Sequence, residues 1–319
     1  MKTERFFVLL VLLMVVSVGV NAQAVCGQFA YSKVFNSCVT EFVLPWVPVS
    51  HIDGKPGEGY TAHLTISNNT TGTVAVLDTQ FTNTAPDGTV QQYGHVIISE
   101  NGQSMDSQGI STTLSPGSTV SFDIVDTKCE YGSNLCTVPP AEMHVAVKVI
   151  VGGDPQLLSN IIPPTVNDKD TINGKMAWQY KYDATALNQA TTAVSANVYV
   201  GGSTDCAVAV MNVSIGGSQE VAEIAAYLID PVTGETFDQG TFGPLLADQN
   251  AAMDCKVLFP GINSLKAAAN YDLLLVTTAL TNKLAGIVPQ IENGGGLNEG
   301  AHVTSSTVFP NLQGMKGLK

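Results

Sequence analysis

The stretch NTAPDGTV, Asn83 to Val90, is echoed 147 positions later by DPVTGETF, Asp230 to Phe237. Each copy follows a run of alternating apolar residues: Ala75, Leu77 and Phe81 before the first, and Ala222, Ile224, Ala226 and Leu228 before the second. Asp87-Gly88 and Thr233-Gly234 supply the positive-φ positions that tight hairpins need. A second pair of turn signals lies downstream, LSPGSTV (Leu114 to Val120) and LFPGINS (Leu258 to Ser264), at Gly-to-Pro intervals of 28 and 26. Matched hairpins imply one β unit built twice, with Leu64–Val90 equivalent to Met211–Phe237.

Period-two alternation extends through the rest of the chain. Ala62, Leu64 and Ile66 share one face, Val120, Phe122 and Ile124 another, and Val145, Val147, Val149 and Val151 a third. Amphipathic helical periodicity is nearly absent. AEIAAYLI (Ala222 to Ile229) contains good helix formers, but its alternation and its place before the hairpin predict a strand. Further strands are expected near 40–48, 60–67, 73–82, 89–98, 118–125 and 143–151. Regularly spaced strands with Gly/Pro turns predict an all-β chain of two tandem immunoglobulin-like β-sandwich domains, residues 23–151 and 190–319. The intervening 152–189 reads as a spacer, because Pro155, Pro163 and Pro164 remove ladder donors and stiffen the path. The Cys-Trp-Cys order of antibody domains is missing, since Trp46 and Trp178 fall outside Cys206–Cys255.

The series FVLPWV (Phe42 to Val47), YTAHLTISNNTTGTVAV (Tyr60 to Val76), Pro86-Asp87-Gly88 and LSPGSTVSFDI (Leu114 to Ile124) resembles immunoglobulin-like modules of secreted bacterial surface proteins. The resemblance is strongest over residues 42–124. It implies a scaffolding or surface-display role and transfers no catalytic residues.

Residues 1–22 read as a secretory signal peptide: Lys2 and Arg5 precede a fifteen-residue apolar run, Phe6 to Val20, followed by small residues suited to cleavage. The run is shorter than the ~20 residues of a membrane-spanning helix, and no later apolar stretch approaches that length, so no membrane span is expected after cleavage. The mature chain holds 12 basic and 26 acidic residues, a formal charge of −14. That balance argues against nucleic acid as a partner, because phosphate binding rests on clustered Lys and Arg. Cys26, Cys38, Cys129, Cys136, Cys206 and Cys255 form an even set, which in an oxidising extracellular or periplasmic setting implies three disulfides. Keeping each pair within its domain favours Cys26–Cys38, Cys129–Cys136 and Cys206–Cys255 among fifteen possible pairings. The last closes the longest loop, worth on the order of 3–4 kcal/mol in the chain-entropy view.

Signals for chemistry are sparse. Gly-x-Ser-x-Gly, His-Glu-x-x-His and the phosphate-binding Gly-x-x-x-x-Gly-Lys do not occur. His95 beside Tyr93, and His63 on the strand with Tyr60, are candidate bases that lack a recognisable nucleophile. In NDKDTING, Asp168, Asp170 and Asn173 offer hard oxygens of the kind calcium prefers, but position 179 is Gln where an EF-hand places its bidentate Glu. A solvated linker turn is the plainer reading. Asn68, Asn69 and Asn212 each begin an Asn-x-Ser/Thr sequon. The expectation is therefore a non-enzymatic secreted or cell-surface structural protein without a cofactor, a subunit of an extracellular fibre or array. Self-association or contact with other surface proteins would use the strand-like terminal segments Val25–Val39 and His302–Pro310 at open sheet edges. The alternative is an extracellular binding module for carbohydrate or protein. A secreted hydrolase stands third and would need two carboxylates near His95.

Overall fold

A computed structural model describes residues 26–48, 50–51, 59–84, 90–91, 96–100, 103–105, 111–126, 144–172, 175–187, 192–202, 204–292 and 302–305. The expected leader and the pair Cys129 and Cys136 lie outside them, as does the Asp87-Gly88 turn. The first half contains β1 (Ala30–Ser32), β2 (Ser37–Pro48), β3 (Ser50–His51), β4 (Gly59–Ser67), β5 (Val74–Thr84), β6 (Val90–Gln91) and β7 (Val96–Glu100). There follow β8 (Gln103–Met105), β9 (Thr112–Leu114), β10 (Thr119–Asp126), β11 (His144–Gly152), the one-turn α1 (Pro155–Leu158), β12 (Thr165–Ile172), β13 (Lys175–Asp183) and β14 (Thr185–Ala186). The second half contains β15 (Ala193–Val200), β16 (Thr204–Val213), β17 (Ala222–Ile229), β18 (Thr236–Leu245), β19 (Asn250–Asp254), α2 (Cys255–Leu258), β20 (Ala269–Thr277), β21 (Lys283–Glu292) and β22 (His302–Ser305). The chain is all-β, and every strand pairing among the described residues is antiparallel. Ala222–Ile229 is a strand, and the hairpin after it turns through Gly234 at φ +72°, with Val232 and Thr233 donating to the Asp230 carboxylate.

The strands form four sheets in two sandwiches. In the first sandwich β13-β12-β4-β10-β7-β8 face β1-β2-β11-β5-β6, with β9 also on β5 and β14 also on β2. In the second, β15-β20-β17-β18 face β19-β16-β21-β22. Phe42, Leu44, Leu64, Phe122, Val147 and Val166 fill the first core, and Val208, Val210, Ile224, Phe242, Leu273 and Leu275 the second. Before the first hairpin the inward residues are Val74 and Val76 rather than Ala75 and Leu77, which are half-buried.

The two sandwiches are not strung on a spacer. The sheet holding β2 and β11 packs its second face against the sheet holding β16 and β21, through Val43, Ala146, Met211, Val213 and Ala285. Within this seam the buried Asn250 amide donates to the Pro45 carbonyl at 3.0 Å. The two inner sheets are thus apolar on both faces, and their strands carry unbroken buried runs: Phe42 to Leu44, Val145 to Val147, and Val208 to Val213. Outer strands such as β17 keep a buried-exposed rhythm, although β20 carries the buried run Leu273 to Leu275. A run buried on both sides has no polar face to alternate with.

Three expectations are corrected here. Residues 152–189 are not a linker: β12 pairs with β4 along its length and β13 with β12, while Leu158, Ile161, Val166 and Tyr182 are buried in the first core. The prolines mark the corner before β12, where no ladder donor is needed. The immunoglobulin order is also not followed. That fold seats its first strand beside the second and its last beside the sixth. Here β2 pairs with β11 and β12 pairs with β4, because β2, apolar on both faces, belongs in the layer covered on both sides. Finally, LFPGINS is not the counterpart of LSPGSTV, which turns between β9 and β10. It closes α2, capped by the Asp254 carboxylate on Lys256 N, and runs into a 3-10 turn over Pro260–Ser264.

The seam makes the sandwiches one cooperative unit. Met211→Ala, which empties the seam, is expected to cost about 2–5 kcal/mol. Chemical denaturation of the wild-type protein should follow a single transition in both far-UV circular dichroism and tryptophan fluorescence. Two resolved transitions would show that the sandwiches unfold separately.

Candidate functional site

The residues singled out from sequence scatter over the fold. Asp168 and Asp170 stand in β12, whose backbone pairs with β4 on one side and β13 on the other, so this segment is an extended strand and not a calcium-binding loop or a solvated turn. Asn173 lies outside the described residues, as do Tyr93 and His95. His63, on the outer face of β4, meets Asp123 of β10 across the ladder, with Nδ1 and Oδ1 2.6 Å apart and both side chains about half exposed. The pair lies on an open sheet face rather than in a cleft, and among the described residues no three His, Cys, Asp or Glu side chains gather to hold a metal ion. Cys26–Cys38 and Cys206–Cys255 are bonded, with Cα–Cα separations of 5.5 and 5.3 Å, which fits an oxidising compartment. No described helix is long and apolar enough to cross a membrane.

Of the sequon asparagines, Asn68 and Asn212 are buried in matching turns and Asn69 is exposed. Asn68, 1% exposed, sits past the end of β4 and donates through Nδ2 to Leu114 O at 2.9 Å and Gly72 O at 2.8 Å. Its Oδ1 accepts from Thr70 N and Oγ1. Asn212, fully buried near the end of β16, donates through Nδ2 to Leu245 O at 3.0 Å and Glu220 O at 2.9 Å. The surrounding backbone repeats bond for bond: Asn68 N to Ser118 O and Asn212 N to Gln249 O, Gly117 N to Asn68 O and Asp248 N to Asn212 O. Gly117 and Asp248 hold the same left-handed position, φ +75° and +60°. Glycine enters it freely, whereas Asp248 is tied by its carboxylate to Ser214 N at 2.8 Å. A primary amide with two N–H donors is what each site requires, because carbonyls from two different turns must be satisfied at one buried point.

Next to Asn212, Glu220 acts as an anionic clip. Its carboxylate accepts from the backbone N–H groups of Leu280, Thr281 and Asn282 at 2.7 to 3.1 Å, which holds its pKa below the ordinary value of 4.5. Its own carbonyl accepts from the amides of Asn212 and Asn282. Together Asn212 and Glu220 fasten three connections at one end of the second sandwich.

The concave feature lies where the seam opens at its edge. A cavity of about 280 Å3 is walled by Phe29 of the N-terminal hairpin, Val39 and Glu41 of β2, Leu187 after β14, Ile215 after β16, and Lys283 at the start of β21. The Cys26–Cys38 disulfide fixes the hairpin that carries Phe29. Glu41 is paired with Lys148 of β11 at 2.9 Å. Lys283 has no ion-pair or hydrogen-bond partner for its side chain among the described residues. Sequence reasoning missed this site, since its residues come from five separate segments. The legible trace was Glu41 and Lys283, each a charge at the border of an apolar run.

No protein-family model matches this chain, and no curated protein or solved structure is significantly similar to it.

Two outcomes follow from the turns. If the protein is produced in a glycosylating host, a glycan is expected at the exposed Asn69 and not at Asn68 or Asn212, whose amide nitrogens are buried donors. Peptide mapping of the folded secreted protein reads this directly. Glu220 has a lowered folded pKa, so its stabilisation is complete above its unfolded pKa and is lost as pH falls through the folded one. Glu220→Gln should therefore flatten the decline in thermal midpoint below about pH 4.5 while lowering the midpoint at pH 7.

Proposed function

We propose that this chain is a non-enzymatic secreted structural protein, a rigid double β-sandwich arisen by internal duplication and used at a cell surface or in an extracellular layer. The observation that carries the reading is the dry seam: two sheets locked face to face, with an amide crossing from Asn250 to Pro45, make one stiff block in which the sandwiches do not reorient. Duplication is supported by topology. The order β2-β11-β5-β9 in one sandwich corresponds to β15-β20-β17-β18 in the other, and β10-β4-β12-β13 corresponds to β19-β16-β21-β22. The asparagine turns then align Asn68 with Asn212 and Leu114 with Leu245, so LSPGST answers to LLADQN rather than to LFPGIN. Met211–Phe237 is accordingly not in register with Leu64–Val90; Leu64 answers to Val208.

Of the terminal segments, the described strands are engaged within the molecule: β1 pairs with β2, and β22 with β21, so among the described residues association is favoured through outer faces and edges rather than by exchange of these strands. The second reading, an extracellular binding module, is favoured by the cavity at the mouth of the seam.

Fractionation of the source cells with immunogold electron microscopy tests the structural reading. The protein should be retained on the cell surface or in extracellular material, and purified protein should sediment as assemblies at high concentration. A freely diffusing monomer in the medium, monomeric at every concentration, would overturn it.

A further inference from the structure

We infer that the cavity at the mouth of the seam is a binding site for a small amphipathic monocarboxylate, with the apolar part of the ligand in the groove and its carboxylate on Lys283. The inference rests on how the seam ends. In its middle the two inner sheets meet through Val43, Ala146, Met211, Val213 and Ala285 without a charged group. At the edge the packing gives way to a cavity of about 280 Å3, next to the roughly 300 Å3 lower bound of ligand clefts. Phe29, Val39, Leu187 and Ile215 make it apolar. Clefts between domains with apolar walls and few polar groups are where small ligands bind.

The charge on the walls selects the ligand. Glu41 is already compensated by Lys148 at 2.9 Å, with side-chain exposures of 23% and 12%. That leaves Lys283 as the charge on the wall without a partner among the described residues. It lies on the same side of β21 as Ala285, the side that faces the seam, since Leu284 between them points into the second core. This ammonium stands at the rim of an apolar groove with no carboxylate bonded to it among the described residues. It is well placed for a carboxylate, because a hydrogen bond to a charged group gains strength where water is partly excluded. The limited volume restricts the ligand to a short aliphatic or single-ring acid, too small for a folded partner or a polysaccharide chain. Binding would bridge the two sandwiches, since Phe29 and Val39 belong to one and Ile215 and Lys283 to the other.

Isothermal titration calorimetry of the full mature protein with sodium octanoate, octylammonium and octan-1-ol, three probes with one tail and different heads, tests the inference. Octanoate is expected to bind at one site per chain, at least tenfold more tightly than either of the other two. Lys283→Gln should weaken octanoate about tenfold or more and leave octan-1-ol unchanged, while Lys283→Arg should restore most of the octanoate affinity. Equal affinities for octanoate and octylammonium would overturn the inference in the wild-type protein alone, whatever the variants do. So would an octanoate affinity unaffected by Lys283→Gln in a variant with wild-type circular dichroism, or no heat of binding at millimolar octanoate.

Discussion

Burial of the two inner sheets on both faces is the constraint from which the rest of this structure follows. A lone sandwich offers each sheet one dry face, and its strands can alternate. Here β2, β11, β16 and β21 have no such freedom, since one parity lines a sandwich core and the other would meet water if the sandwiches parted. Exposing Val43, Ala146, Met211 and Val213 together would place a continuous apolar patch on each half. Each fully buried side chain of this size is worth roughly 1.5–3 kcal/mol relative to exposure. The seam is therefore an extension of the core, and Asn250 meets its polar requirement by satisfying the Pro45 carbonyl inside it.

The same constraint explains the strand order. A first strand with two apolar faces has to enter the middle of the stack, so β2 lies beside β11 and the edge of the outer sheet is left to the polar β12–β13 hairpin. Turns at the sheet ends must then close without apolar bulk to spare. Asn68 and Asn212 do so by fastening two chain reversals each, and Glu220 clips a third connection to the second of them. These are local solutions in which a side chain takes over hydrogen bonds that the sheet ladder cannot supply at its ends. The cavity at the edge of the seam arises from the same geometry: two sheets pressed together at their centres part at a rim, and the disulfide-closed hairpin and Leu187 roof the gap.

Much of this architecture is legible in the residues themselves. Alternation at Ala62–Ile66, Val120–Ile124 and Ala222–Leu228 is the direct imprint of a strand with one wet face, and these faces are buried as read. The Thr233-Gly234 hairpin follows from a positive φ, and two of the favoured disulfides follow from keeping each pair within one unit, across 12 residues for Cys26–Cys38 and 49 for Cys206–Cys255. By contrast, β12 and β13 were hidden because Pro163 and Pro164 precede them and polar residues fill β12, so the spacer reading overrode the pairing of β12 with β4 and β13. The match of LSPG to LFPG misled for a related reason: similar turn residues serve a crossing between two sheets in one place and a helix end in the other.

What the sequence determined on its own was therefore local: which segments are strands, where they reverse and which cysteines lie near enough to bond. Period, turn chemistry and loop length act over a few residues and leave their mark there. What only the tertiary structure decided was which faces meet. The second buried face of β2 and β16, the exchange of first and last strands between sheets, and the convergence of Phe29, Glu41, Leu187, Ile215 and Lys283 on one cavity all join residues far apart in the chain. No local pattern encodes such meetings. An apolar run such as Val208 to Val213 states that both faces must be dry, and only the packing of the whole chain names the surface that covers each.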